Sequence, residues 1–181
     1  FFPNYFTPRP VSRSAPPQSG AGHDEFLFRQ GPARGLGRIQ FHDYHTAFDR
    51  PKVPNVRLFR EQIAVFQELL ATATPDEAQQ KDVDFLLALG EIFTLVVYAQ
   101  LILENAATYA IGDDLLDQIF DAFVRDFSRH ALILHSKPSS TAQQMELCLR
   151  MLRKPAADPA RFERVWKEQV LPLKDAYEMS P

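Results

Sequence analysis

Apolar side chains recur at helical spacing along most of the chain after Asn55. Phe59, Ile63, Phe66 and Leu70 mark one face of a first helix. Thr74-Pro75-Asp76-Glu77 has the form of a capping box, with proline at the first helical position, where its missing N–H costs nothing. The helix it opens is predicted to run to about Ala110, with Gly112 as a left-handed stop. Asp113 or Asp114 can cap the next helix, whose stripe is Leu116, Ile119, Phe120, Phe123, Phe127, Ala131 and Leu134. A second capping box, Ser140-Thr141-Ala142-Gln143, leads into Met145, Cys148, Leu149 and Leu152. Asp158-Pro159 starts the last helix, with Phe162, Val165 and Trp166 expected inward. Strand-like alternation is nearly absent; only Arg38–Phe41 offers a short stretch. The pattern predicts an all-α fold, a bundle of about five helices over residues 55–181.

One stretch departs from simple amphipathicity. Phe85–Leu103 is apolar apart from Gly90, Glu91, Thr94 and Gln100. It is long enough for a membrane span, but a charge and an amide near its middle would each cost roughly a few kcal/mol in hydrocarbon. The expectation is therefore a helix buried nearly all round at the centre of the bundle. Gly90 is expected to let a neighbouring helix approach closely, a kink being the alternative. Glu91 on so apolar a helix must either pair with a cation from another helix or hold a raised pKa with a functional role. The paired carboxylate is the commoner arrangement. Gln100 and Glu104 are expected to reach the wetter end of the same helix.

Glycine and proline set the first 54 residues apart. Eight of 14 prolines lie in residues 1–54, and five of seven glycines lie between Gly20 and Gly37. Such a segment reads as an extended arm, because proline fixes φ and removes a backbone donor. It carries seven Lys/Arg and four Asp/Glu (+3), against 13 and 19 (−6) in residues 55–181. Phe26, Leu27, Phe28, Phe41, Tyr44 and Phe48 are too many aromatic and aliphatic side chains for an unattached tail. They are expected to dock on the bundle or on a further domain.

Composition narrows the function classes without choosing one. With 181 residues, 45% hydrophobic and 24% charged, the chain can bury one sizeable core, which excludes a disordered or collagen-like protein. A net charge of −3 argues against nucleic acid as a partner, because phosphate binding needs a cationic excess. Cys148, the single cysteine, cannot form an internal disulfide or a cysteine-based zinc site, so a reducing, cytoplasmic compartment fits best. The chain opens on Phe-Phe-Pro with neither Met nor signal segment, and is expected to be a piece of a longer protein.

Candidate chemistry is sparse. His42-Asp43-Tyr44-His45 places two histidines three residues apart, but no third metal ligand stands out, and a surface turn is the favoured reading. Gly31–Arg38 resembles a phosphate-cradling loop in composition, yet lacks the Lys-Ser/Thr of a P-loop and the strand before it. Arg29, Arg34 and Arg38 read as solvated unless a phosphate or an acidic surface meets them. His130, His135 and Arg129 suit the negative end of their helix. Cys148 sits on an apolar stripe and is expected to be an inert buried thiol. No catalytic residue and no metal ligand is assigned.

The string LLALGEIFTLVVYAQLILENA, within Phe85–Ala106, resembles the C-terminal helical region of large bacterial acyl-CoA dehydrogenases. So do Leu115-Leu116-Asp117-Gln118-Ile119-Phe120, Val124-Arg125-Asp126-Phe127-Ser128, Lys137-Pro138-Ser139-Ser140, Arg153-Lys154-Pro155 and Ala176-Tyr177-Glu178. The opening Phe1-Phe2-Pro3-Asn4-Tyr5-Phe6 looks like the stretch just after the catalytic-glutamate segment in such enzymes. The resemblance implies membership of a FAD-dependent enzyme that oxidises fatty acyl-CoA thioesters to 2-enoyl-CoA. A glutamate there removes the α proton while hydride passes to the flavin, so the cofactor carries the hard chemistry. The Tyr-Glu-Gly-type motif is missing; Tyr177-Glu178-Met179 lacks the glycine, and the role is not transferred to Glu178. The catalytic glutamate and the segments binding FAD and acyl-CoA are expected upstream of Phe1. On this reading the chain is a structural, oligomer-forming accessory domain whose partners are the upstream catalytic domains and further copies of itself. Peripheral membrane contact is left open. The competing reading is a stand-alone helical module that binds a partner protein and has no catalytic activity.

Overall fold

The computed structural model describes residues 5–7, 43–49, 51–174 and 176. Two compact units divide the chain, Phe1–Thr46 and Ala47–Pro181. In the first, Tyr5 and Tyr44 are buried and stacked with centroids 5.6 Å apart, and Phe6 meets Tyr44 edge-on at 5.5 Å. The docking expected of Phe26, Leu27, Phe28 and Phe41, the strand alternation at 38–41 and the arginine loop all lie outside the described residues.

The described residues are mostly helical (76%), with six α-helices and no strand, so the all-α bundle expected from periodicity is present. The helices are α1 (Tyr44–Phe48), α2 (Pro54–Thr72), α3 (Val83–Tyr109), α4 (Asp113–His135), α5 (Ala142–Arg150) and α6 (Pro159–Val165). A π-turn, Trp166–Val170, and a 3-10 turn, Leu171–Leu173, come after α6.

α4 is the hub. It packs on α2, α3, α5 and α6, whereas the main packing of α3 is on α4. Its predicted stripe is inward at Leu116, Phe120, Phe123, Phe127, Ala131 and Leu134, with Ile119 at the margin. Phe59 of α2 stands in the middle of the aromatic core, within 5.3–6.0 Å of the rings of Phe48, Phe120, Phe123 and Phe127. Farther along α2, Phe66 meets Phe127 edge-on at 6.2 Å. On α2 the inward stripe includes Phe59, Ile63, Phe66 and Leu69, with Leu70 turned partly out.

α3 corrects an expectation. It is not the buried centre: Val83, Leu86, Leu87, Tyr98 and Leu101 are exposed on one side, while Phe85, Ile92, Val96 and Leu103 face α4. Among the described residues nothing lies within 4 Å of a Cβ placed on Gly90, so no described neighbour makes a close approach there. Among the described residues α3 alone is long and apolar enough to cross a membrane, with mean hydropathy 2.1 and 44% of its most apolar window buried.

Helix ends also move relative to the sequence reading. Thr74-Pro75 does not start α3. Asp76 accepts from the N–H groups of Ala78 and Gln79 (2.9 and 2.8 Å), closing a short turn that runs into the 3-10 turn Gln79–Lys81. Asp82 then caps α3 through the Phe85 N–H at 3.1 Å. The α5 box is one residue later than predicted: Thr141 and Gln144 cap each other's backbone. Its inward residues are Gln144, Leu147, Cys148 and Met151, while Leu149 is half-exposed. On α6, Asp158 caps and Val165 is inward as expected, but Phe162 and Trp166 stack on each other in the open and Arg161 takes the inward position.

Gly112 is not the left-handed stop. Its φ is −67° and it serves as the N-cap of α4; Ala110 instead has φ 52°. An L-residue there crowds its Cβ against the carbonyl, which glycine avoids. Ala110→Gly is expected to stabilise the fold by about 0.5–1 kcal/mol, read as a higher urea midpoint at an unchanged slope.

Candidate functional site

Three buried polar clusters join the helices. The first starts at Asn55, whose N–H donates to Asp117 Oδ1 at 2.7 Å, so that α4 caps the start of α2. Asn55 Nδ2 donates to the carbonyls of Asp117 (3.2 Å) and Ala156 (3.3 Å), and the Ala156 N–H returns a bond to Asn55 Oδ1 at 2.7 Å. The other Asp117 oxygen accepts from Arg161 Nη1, and both side chains are almost wholly buried (4% and 6% exposed). Arg161 Nη2 reaches the Ala156 carbonyl, while its Nε has no partner among the described residues. A buried guanidinium is tolerated here because the carboxylate is already aligned by a helix N-terminus.

In the second cluster Gln62 Nε2 donates to Ser128 Oγ (3.0 Å) and to the carbonyls of Val124 (3.1 Å) and Met151 (2.9 Å). Ser128 Oγ in turn accepts the Arg153 N–H. The third is a reciprocal amide pair: Gln79 Nε2 donates to Gln144 Oε1, and Gln144 Nε2 donates to Gln79 Oε1 and the Ala73 carbonyl. Apart from Gln62 Oε1 and Arg161 Nε, which are buried without a partner among the described residues, these groups bond to backbone and to each other, which closes helix ends and loops rather than leaving reactive atoms facing solvent.

The carboxylates singled out by periodicity and charge are tied up at the surface. Glu91 meets His130 across helices, Oε2 to Nδ1 at 2.7 Å, without hydrogen-bond alignment. The neighbour that Glu91 finds on another helix is thus a histidine near the end of α4 rather than a lysine or arginine, and Glu91 itself is half-exposed rather than buried. His135 lies in the last turn of α4, whereas His130 serves Glu91. Gln100 is buried rather than at a wet end, and donates to Glu104 at 2.8 Å. Arg150 grips Glu68 with two bonds of 2.6 and 2.7 Å, and Arg164 grips Asp114 with 2.6 and 2.9 Å. The arginine in each pair holds the carboxyl below its ordinary range. The Phe85 N–H, and then Ser139 Oγ, lower Asp82 in the same way.

Cys148 is fully buried, and burial pushes its thiol up to about 12, which keeps it protonated and unreactive. His45 Nδ1 lies 2.7 Å from Asp43 Oδ1, an arrangement within one turn; His42 lies outside the described residues. Among the described residues no three His, Cys, Asp or Glu side chains form a metal-holding group. An open cleft of about 540 Å³ lies where α3 turns into α4, lined by Ile111, Asp113, Asp114, Val165, Glu168 and Gln169. Asp114 there is already held by Arg164, which leaves Asp113 and Glu168 to repel the pyrophosphate of a dinucleotide, and no cationic side chain among the described residues lines the cleft, so it does not suit FAD. Periodicity gives no sign of the buried amide clusters, because glutamine and asparagine at helical spacing look like ordinary polar-face residues. Compared with protein-family models, curated proteins and solved structures, the chain matches none.

Proposed function

We propose that this chain is an accessory C-terminal helical domain of a FAD-dependent acyl-CoA dehydrogenase, structural and oligomer-forming, working beside catalytic domains upstream in a longer protein. The observation that carries the reading is where the resembling strings fall. The longest, Leu86–Ala106, lies wholly within α3, and Leu115–Phe120 and Val124–Ser128 lie on α4, against which α3 packs. The likeness thus covers a packed helix pair. The buried polar clusters suit a rigid accessory lobe, since they fix the helices to one another and leave the chemistry to other domains. FAD and the acyl-CoA substrate belong, on this reading, to the upstream domains. The protein sits in the cytoplasm, with membrane contact at most peripheral.

Flavin absorbance and acyl-CoA-dependent dye reduction, measured on this chain alone and on the longer protein, test the proposal. The longer protein is expected to carry flavin and reduce the dye, and this chain to do neither. Flavin bound to this chain alone would overturn the accessory role. A longer protein without flavin would overturn the family.

A further inference from the structure

The exposed face of α3 has a symmetry about Thr94 that fits a second copy of itself. At 3.6 residues per turn, Leu87 and Leu101, seven residues to either side of Thr94, lie about 20° on either side of its line. Both are exposed, at 63% and 48%, as is Tyr98 at 58%. Glu91 and Tyr98 fall on one flank of that line, before and after Thr94; Gly90 and Val97 fall on the other.

An antiparallel pair related by a two-fold axis at Thr94 matches each residue to one of similar offset and opposite height. Leu87 then meets the second copy's Leu101 along the seam, Tyr98 brings its hydroxyl toward the second copy's Glu91, and Val97 lies over the second copy's Gly90. Every contact occurs twice, as an isologous interface requires. The open space around Gly90 is what close approach of a second helix needs. Tyr98 is half-fixed already by Phe123, 5.7 Å away, so ordering it costs little further entropy. Glu91 is half-exposed with His130 Nδ1 2.7 Å away, which suits a place at the wet edge of an interface rather than in its apolar seam. The helix is about 40 Å long, and antiparallel contact along most of it reaches the roughly 1,000 Å² of a small specific interface. Opposed helix dipoles add a favourable term.

A lipid surface fits this face less well. α3 contains no Lys or Arg, carries Asp84, Glu91 and Glu104, and sets Thr94 and Asn105 in the midst of its exposed stripe. Anionic headgroups call for the opposite charge, and a wet protein interface accommodates the polar groups. We infer that the outer face of α3 is a self-association surface, pairing antiparallel with α3 of a second copy about Thr94. The inference deepens the oligomer-forming part of the proposed function and rests on that part alone.

Sedimentation velocity over about 1–100 μM protein tests it, with no flavin or thioester present, so its failure is distinct from failure of the flavoenzyme assignment. The chain is expected to shift from monomer to dimer across that range. Leu87→Glu and Leu101→Glu, both on exposed positions, are each expected to raise Kd roughly 100-fold with unchanged far-ultraviolet dichroism, because each change enters the interface twice. Leu149→Glu, exposed on α5, is expected to leave Kd unchanged. A chain with Leu87→Cys mixed with one carrying Leu101→Cys is expected to form a disulfide dimer faster than either alone, which a parallel pairing would reverse. A monomer at every concentration overturns the inference, as does a dimer indifferent to both charged variants. Binding to phosphatidylcholine–phosphatidylglycerol vesicles by a monomer, abolished by Leu101→Glu, would overturn it too and assign the face to membrane instead.

Discussion

Replacing Asp117 with alanine is expected to lower the unfolding free energy by about 3–5 kcal/mol, the range for removing one partner of a buried ion pair. Two consequences combine. Arg161 would keep a guanidinium in the interior with its Nε already unpartnered and its main counter-charge gone. The Asn55 N–H, at the start of α2, would lose its acceptor on α4. Asp117→Asn separates these effects: it retains an oxygen for Asn55 but not the charge for Arg161, so an intermediate loss is expected. Urea unfolding at neutral pH reads all three chains, provided the slope stays constant.

The pair itself need not stabilise the fold by that amount. Desolvating both charges offsets most of their attraction, so a chain with Asp117→Leu and Arg161→Met together is expected to recover most of the loss of the single change. A double variant as unstable as Asp117→Ala would place the loss in packing and capping rather than in the stranded charge. The geometry favours the charge, because Arg161 has no other carboxylate partner among its hydrogen bonds and only one backbone carbonyl besides.

Sequence periodicity located most of the bundle because α4 is amphipathic in the ordinary way, with one apolar stripe facing its neighbours. It failed for α3 for a physical reason. A helix apolar all round carries no directional signal, so neither its buried side nor its place in the bundle can be read from the pattern. The shifted caps have a similar origin. Thr74 and Ser140 stand before plausible box partners three positions on, but the competing caps at Asp82 and Thr141 are held by tertiary partners, Ser139 for Asp82 and the Gln79–Gln144 amide pair for Thr141. On α6, Phe162 and Trp166 outweigh Arg161 in any hydrophobic count, yet the arginine is inward because Asp117 meets it across the bundle. Glu91 was legible as a residue needing a partner, while the identity of that partner depended on which helix lay beside α3. The local code specifies elements; long-range polar pairs decide their register.

Phe59→Ala is expected to cost about 3–5 kcal/mol, the usual range for deleting a large aromatic from a core. Phe59 is fully buried and touches four other rings, on α1 and α4, so its removal opens a cavity that the rigid helices on either side cannot close. Edge-to-face contacts with Phe120, Phe123 and Phe127 add to the transfer term. A loss of that size is a large share of the roughly 5–15 kcal/mol that holds a typical domain, so weakened near-ultraviolet dichroism should accompany it. Phe162→Ala is the matching control. Phe162 is half-exposed and, among the described residues, stacks only against Trp166 at 6.4 Å, so its loss is expected to stay within about 0.5 kcal/mol. Equal losses at the two positions would mean that α6 turns its aromatic face inward, as periodicity alone implies. A wide gap between them would instead tie the stability of the bundle to the α1–α2–α4 aromatic core, leaving Phe162 and Trp166 free of any structural demand.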